Sequence, residues 1–120
     1  MSLMTTILAT VVALEHLYIF YLETIATVSD KTSQTFHMNK EELTRSSVQT
    51  LFKNQGIYNG LLGLFLLYGI FLSHNLEIVT IFVLYVIGAA VYGAFTSNKA
   101  ILLKQGGPAI LSLLSILFFK

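Results

Sequence analysis

Residues Leu14–Glu23 read LEHLYIFYLE, and this decapeptide sets Glu15, His16 and Glu23 among side chains that a hydrocarbon interior would accept. The apolar character runs on in both directions, over Leu3–Val28, a length of helix that matches the roughly 20 residues needed to cross a bilayer core. Ionisable groups inside such a segment are expensive and by default mark a functional site. A cleaved leader would carry a positive stretch ahead of its apolar run. Met1–Leu14 has no Lys or Arg, so the segment is expected to remain as a true helix.

The composition of the whole chain agrees with that reading. Of 120 residues, 55% are hydrophobic and 11% charged, and the mean hydropathy is +0.76. A water-soluble domain of this size could not hide so much apolar surface. There is no cysteine, which excludes disulfides and thiolate metal sites. The net charge of +1, without a basic cluster interleaved with aromatics, gives no case for nucleic acid.

Three further apolar stretches follow, Gln55–Leu72, Leu76–Thr96 and Ala100–Phe119. The expected fold is an all-α integral membrane protein, a four-transmembrane-helix bundle forming a single domain over residues 1–120, with spans near 3–28, 55–72, 76–96 and 100–119. The last is irregular, because Lys104, Gln105, Gly106 and Gly107 precede its fully apolar part. From Pro108 to Phe119 the rise is only about 18 Å, short of a core about 30 Å thick. That span either thins the bilayer or begins earlier as broken backbone. The loop 29–54 holds Lys31, Lys40, Arg45 and Lys53, and the third loop holds Lys99 and Lys104, so both are expected in the cytoplasm and both termini outside. Within the first loop Asn39 and Glu42 have capping-box spacing, which predicts an amphipathic helix or helical extension beginning near Lys40.

On a helical wheel at about 100° per residue, Glu15, His16 and Glu23 fall within one arc roughly 100° wide. His16 and Glu23 are about 10.5 Å apart along the axis, too far to share one metal ion or hydrogen bond, so their partners are expected on other helices. Candidates lie at the same cytoplasmic depth. Asn54, Gln55, Tyr58 and Asn59 form a polar face at the start of the second span, Tyr85, Ala89, Tyr92 and Thr96 a stripe on the third, and Gln105, Pro108, Ser112 and Ser115 a face on the fourth. Together these predict a ligand-binding pocket, open to the cytoplasm and lined by Glu15, His16, Glu23, Asn54, Gln55, Tyr58, Asn59, Tyr92, Thr96 and Gln105. Asn, Gln, Ser and Tyr in spans also serve simply to join helices. That reading is preferred for Tyr85, Ser112 and Ser115, and the functional one for the three ionisable groups. Glu77, in the first turn after Asn75, is explained by a helix cap and dipole.

The segments ALEHLYIFYLE (Ala13–Glu23) and NQGIYNG (Asn54–Gly60) resemble the signature segments of a widespread family of small bacterial integral membrane proteins classed as a domain of unknown function. The similarity covers almost the whole chain, with Thr96 and QGGP (Gln105–Pro108) at later matching positions. The resemblance implies a four-helix protein of the bacterial cytoplasmic membrane and carries no activity with it.

Three functions are compatible with these residues. The first is binding or transport of a small polar or amphipathic ligand, such as a lipid headgroup or quinone, with a carboxylate taking up a proton. The second is a membrane-embedded lipid-modifying enzyme using Glu/His acid-base chemistry, which no nucleophile elbow or metal-ligand spacing supports. The third is a structural subunit of a membrane complex. The expected partners are the lipid bilayer, a small-molecule or lipid ligand and, left open, a second copy of the chain. No metal site and no specific cofactor or catalytic residue is indicated.

Overall fold

The computed structural model describes residues 1–97 and 100–120, without the side chains of 101 and 102. Lys99, counted above toward the cytoplasmic side, lies outside them. The described residues are helical, with no strand among them. Helix α1 spans Leu3–Phe20 and is continued by a π-helical turn, Tyr21–Ile25. Two short helices follow, α2 (Asp30–Phe36) and α3 (Lys40–Leu43), and then α4 (Ser46–Leu67), also continued by a π-turn, Tyr68–Leu72. Helix α5 spans Leu76–Thr96, α6 Ala100–Lys104 and α7 Gly106–Phe118.

Among the described residues, three helices are long and apolar enough to cross a membrane: Leu3–Ile25, Ser46–Leu72 and Leu76–Thr96. Their 23, 27 and 21 residues correspond to roughly 34, 40 and 31 Å of rise. The final apolar stretch is divided at Gln105, between α6 and α7, as the broken-backbone alternative anticipates. Gln105 does not cap α7 with its side chain. Pro108 sits in the first turn, where its missing N–H breaks no intrahelical bond. With 13 residues, α7 rises about 20 Å, less than a bilayer core.

The loop 29–54 is more helical than its sequence suggests. Helix α3 begins at Lys40 as expected, although the Asn39 side chain makes no capping bond. Helix α2 is an addition, capped by Ser29, whose hydroxyl accepts from the Thr32 N–H at 3.1 Å. Helix α4 begins nine residues ahead of Gln55, because Ser46 to Asn54 contains no Gly or Pro to stop a helix growing backward.

The chain forms two compact units, Met1–Glu15 with Gly63–Lys120, and His16–Leu62. In the first, α5 and α7 pack together. Val79, Val83, Val86 and Ala90 form the buried stripe of α5, and Ala109, Ser112, Ser115 and Ile116 that of α7. The Thr5 and Ser115 hydroxyls meet at 2.6 Å, and the Ser2 N–H donates to Lys120 O at 2.8 Å, joining the chain ends. In the second unit Ile19, Leu22, Leu43 and Leu62 are buried, and the rings of Phe36 and Phe52 pack at 5.2 Å between centroids. Its ion pairs, Lys40–Asp30 and Arg45–Glu42, lie on the exposed loop. Large apolar side chains including Leu3, Ile7, Leu14, Leu64, Phe71, Ile81 and Phe95 are exposed, the surface that lipid contact requires and water disfavours.

Candidate functional site

The most heavily buried carboxylate of the second unit is Glu23, 3% exposed, and its position follows from a departure of the backbone. Continued as an α-helix, the chain would bond the Ala26 N–H to Leu22 O. It reaches Tyr21 O instead, at 2.8 Å, fitting one more residue into the turn. Leu22 O then lacks its usual donor, and a buried backbone acceptor must find another. Thr32 of α2 provides it: its hydroxyl lies 3.0 Å from Leu22 O and 2.7 Å from Ala26 O. The Ser29 hydroxyl donates in turn to Thr32 Oγ1 at 3.0 Å. Thr32 is fully buried.

Helix α4 approaches the same turn closely because two of its residues are glycines spaced four apart. A Cβ on Gly56 would overlap Thr24 Oγ1, and one on Gly60 would come within 3.0 Å of the Phe20 ring. Small residues four apart are the usual means of bringing two membrane helices together. At this distance short polar side chains can bridge. The Asn59 Nδ2 donates to Glu23 Oε1 at 2.6 Å. Nearer the start of α4, the Thr24 hydroxyl donates to Lys53 O and the Lys53 ammonium to Thr24 O, both at 3.0 Å. The group that meets the Glu23 carboxylate is thus an uncharged amide, which orients the carboxyl without neutralising it. Such a carboxyl can accept a proton or a hydrogen-bond donor from a ligand.

The ten residues expected to line a pocket are distributed unevenly. Glu23 and Asn59 are in direct contact, and His16 of the same unit is buried. Asn54, Gln55 and Tyr58, also in that unit, are exposed. Glu15, Tyr92, Thr96 and Gln105 belong to the other unit. There Tyr92 and Thr96 are exposed, with the Thr96 hydroxyl donating to Tyr92 O at 3.0 Å, and Gln105 is half-buried. Glu15 is half-buried, with one carboxyl oxygen, Oε1, enclosed and without a hydrogen-bond partner. Among the described residues no three His, Asp or Glu side chains are grouped to hold a metal ion. Ser29, Thr32, Lys53 and Gly56 were not anticipated at this site. The first two had a signal in VSDKT (Val28–Thr32), a helix-capping pattern directly after the first span.

The family model described as "Protein of unknown function (DUF1304)" matches residues 10–117. The chain is 61% identical over 119 residues to the "Uncharacterized protein YpaA" of Lactococcus lactis subsp. lactis (strain IL1403), a match that covers 98% of this chain and 100% of that protein. No solved structure matches it.

Proposed function

Because the chain belongs to the DUF1304 family of proteins of unknown function, we propose a reading built from its own geometry: it is a multipass protein of the bacterial cytoplasmic membrane that binds or carries a small polar or amphipathic ligand at Glu23. Three crossings are Leu3–Ile25, Ser46–Leu72 and Leu76–Thr96, and the divided segment α6–α7 makes the fourth, with both termini outside. The loop 29–54 with its four cationic residues then faces the cytoplasm. Glu23 sits at the cytoplasmic end of the first crossing, and the site opens toward that side.

The observation that carries this reading is the buried Glu23 carboxylate held by the Asn59 amide in an apolar helix pair. A carboxylate costs at least ~2.5 kcal/mol at the centre of a span and less toward its end, and one hydrogen bond to a charged acceptor returns about 1.5–3 kcal/mol, so the pair does little more than break even. Leu at both positions would join the helices without that cost. Retaining an ionisable group here is explained by its binding a ligand donor or carrying a proton with the ligand.

Native mass spectrometry of the protein released from lipid-preserving particles, beside Glu23→Gln, tests the reading. A discrete small-molecule adduct on the wild type, absent from the variant, is the expected result. Bulk lipid alone, equal in both, would contradict it, and a chemically altered lipid would point to catalysis in place of carriage.

A further inference from the structure

The Thr32 hydroxyl comes from a loop helix, yet it completes the backbone of the first crossing. We propose that the Ser29–Thr32 hydroxyl pair is a latch that fixes the π register of Tyr21–Ile25, making both residues positioning residues for the Glu23–Asn59 contact. The inference rests on the reading of Glu23 as a ligand site, and it adds a means by which the loop controls that site.

Two registers of this turn can each satisfy the backbone. In the observed one, Tyr21 O accepts from Ala26 N–H, and the Thr32 hydroxyl shares its one proton between Ala26 O at 2.7 Å and Leu22 O at 3.0 Å. In a continuous α-helix, Leu22 O would take back the Ala26 N–H and Tyr21 O would accept from Ile25 N–H. The second register has no use for Thr32 at Leu22. Without Thr32 the first leaves a buried carbonyl short of a donor, a condition proteins avoid. By holding the Leu22 and Ala26 carbonyls together, the hydroxyl favours the first register.

Selection matters because the registers differ in where the side chains point. A π-turn holds about one extra residue, so side chains beyond it are carried round the axis by up to ~100° relative to an α continuation. Glu23 and Thr24 are the third and fourth residues of the turn and are carried round part of that angle. Relaxation to α would swing both away from Asn59 and Lys53, the partners they now meet. The Thr27 hydroxyl donates to Glu23 O at 2.7 Å and adds a second side-chain bond to the same turn. Thr32 is itself held from outside: Ser29 donates to its oxygen, and the Ser29 side chain accepts its N–H. Ser29 is partly exposed at the α2 N-cap, whereas Thr32 is fully buried. A change at the loop surface thus has a route of two hydroxyls to the carboxylate.

The test reads Glu23 without any ligand. Full-length protein in lipid nanodiscs is compared by infrared spectroscopy, with the Glu23 carboxyl bands assigned by their loss in Glu23→Gln, and by amide hydrogen exchange over Leu22–Thr27. Thr32→Val keeps the shape and removes the donor, while Thr32→Ser restores it. The expected result is a displaced Glu23 band and exchange on the order of tenfold faster in Thr32→Val, as loss of one net hydrogen bond implies, with wild-type behaviour in Thr32→Ser. Ser29→Ala, which leaves Thr32 in place, is expected to shift both readouts in the same direction by less, and it decides the matter should Thr32→Val not fold. Bands and exchange unchanged in a folded Thr32→Val, or in Ser29→Ala in its stead, would overturn the latch. Because neither readout depends on a bound molecule, an absent ligand would leave this result standing, and a failed latch would leave the ligand site standing.

Discussion

The protein ends two of its long apolar helices in the same way and puts the two endings to different use. Tyr21–Ile25 and Tyr68–Leu72 are both π-turns, each opening on a tyrosine, and in each the next N–H reaches back five residues, from Ala26 to Tyr21 O at 2.8 Å and from Ser73 to Tyr68 O at 2.9 Å. The second turn buries Gly69 and Ile70, and the backbone closes it: the Asn75 N–H donates to Gly69 O at 2.9 Å before α5 begins. The first buries Leu22 and Glu23 and is closed by side chains from other helices, Thr32, Asn59 and Lys53. A π-turn is often taken as a sign of function. The comparison shows that the turn alone can be a way of stopping a helix, and that the buried ionisable group with imported partners distinguishes the first.

Substitutions sharpen the contrast when the same change is made at both turns and stability is followed by mixed-micelle unfolding with circular dichroism. Gly56→Ala should have the largest effect, about 3 kcal/mol, at the upper end of overpacking costs, since its Cβ would overlap Thr24 Oγ1 beside the first turn. Gly69→Ala at the second turn meets an Ile78 methyl at 2.8 Å and should cost less, about 1–2 kcal/mol. Equal losses would break the claim that the first turn is the more constrained. Asn59→Leu should follow at about 2 kcal/mol, because a buried carboxyl loses the donor it now holds. Asn75→Ala removes a cap that accepts from Ile78 N–H at 3.1 Å and should cost about 1 kcal/mol. The smallest effect is expected at His74, whose φ of 49° is left-handed. His74→Gly should stabilise by about 0.5 kcal/mol, as relief of the Cβ clash exceeds the entropy of glycine.

How much of this was legible in the sequence differs by element. Leu76–Thr96 is bounded where the apolar run is bounded, since Asn75 before it and the polar SN pair after it leave no ambiguity. The cap at Asn75 was readable for the same reason. The π-turns were not, because YLETI and YGIFL hold no residue that marks a π-turn apart from an α-turn; the donors that meet Leu22 O and Gly69 O, Thr32 and Asn75, lie outside the two segments. A wheel at a constant 100° per residue therefore drifts beyond Phe20, although it still set Glu23 on an inward arc, where the structure buries it. The polar face at Asn54, Gln55, Tyr58 and Asn59 spans too wide an angle for one neighbour to cover. Asn59 is turned to Glu23, and the other three are exposed. Thr32 could not be linked to Leu22 from sequence, as the two lie ten positions apart on either side of a change in chain direction that no motif marks.

Glu23→Gln separates a carboxylate kept for a ligand from one kept for stability. Glutamine preserves the volume and its amide oxygen can still accept from the Asn59 amide, so the variant should unfold within about 1 kcal/mol of wild type, the worth of one net hydrogen bond. Its native mass spectrum is nonetheless expected to lack a small-molecule adduct that the wild-type protein carries. An adduct equally abundant in both, or no discrete adduct on either, would contradict the ligand reading of Glu23.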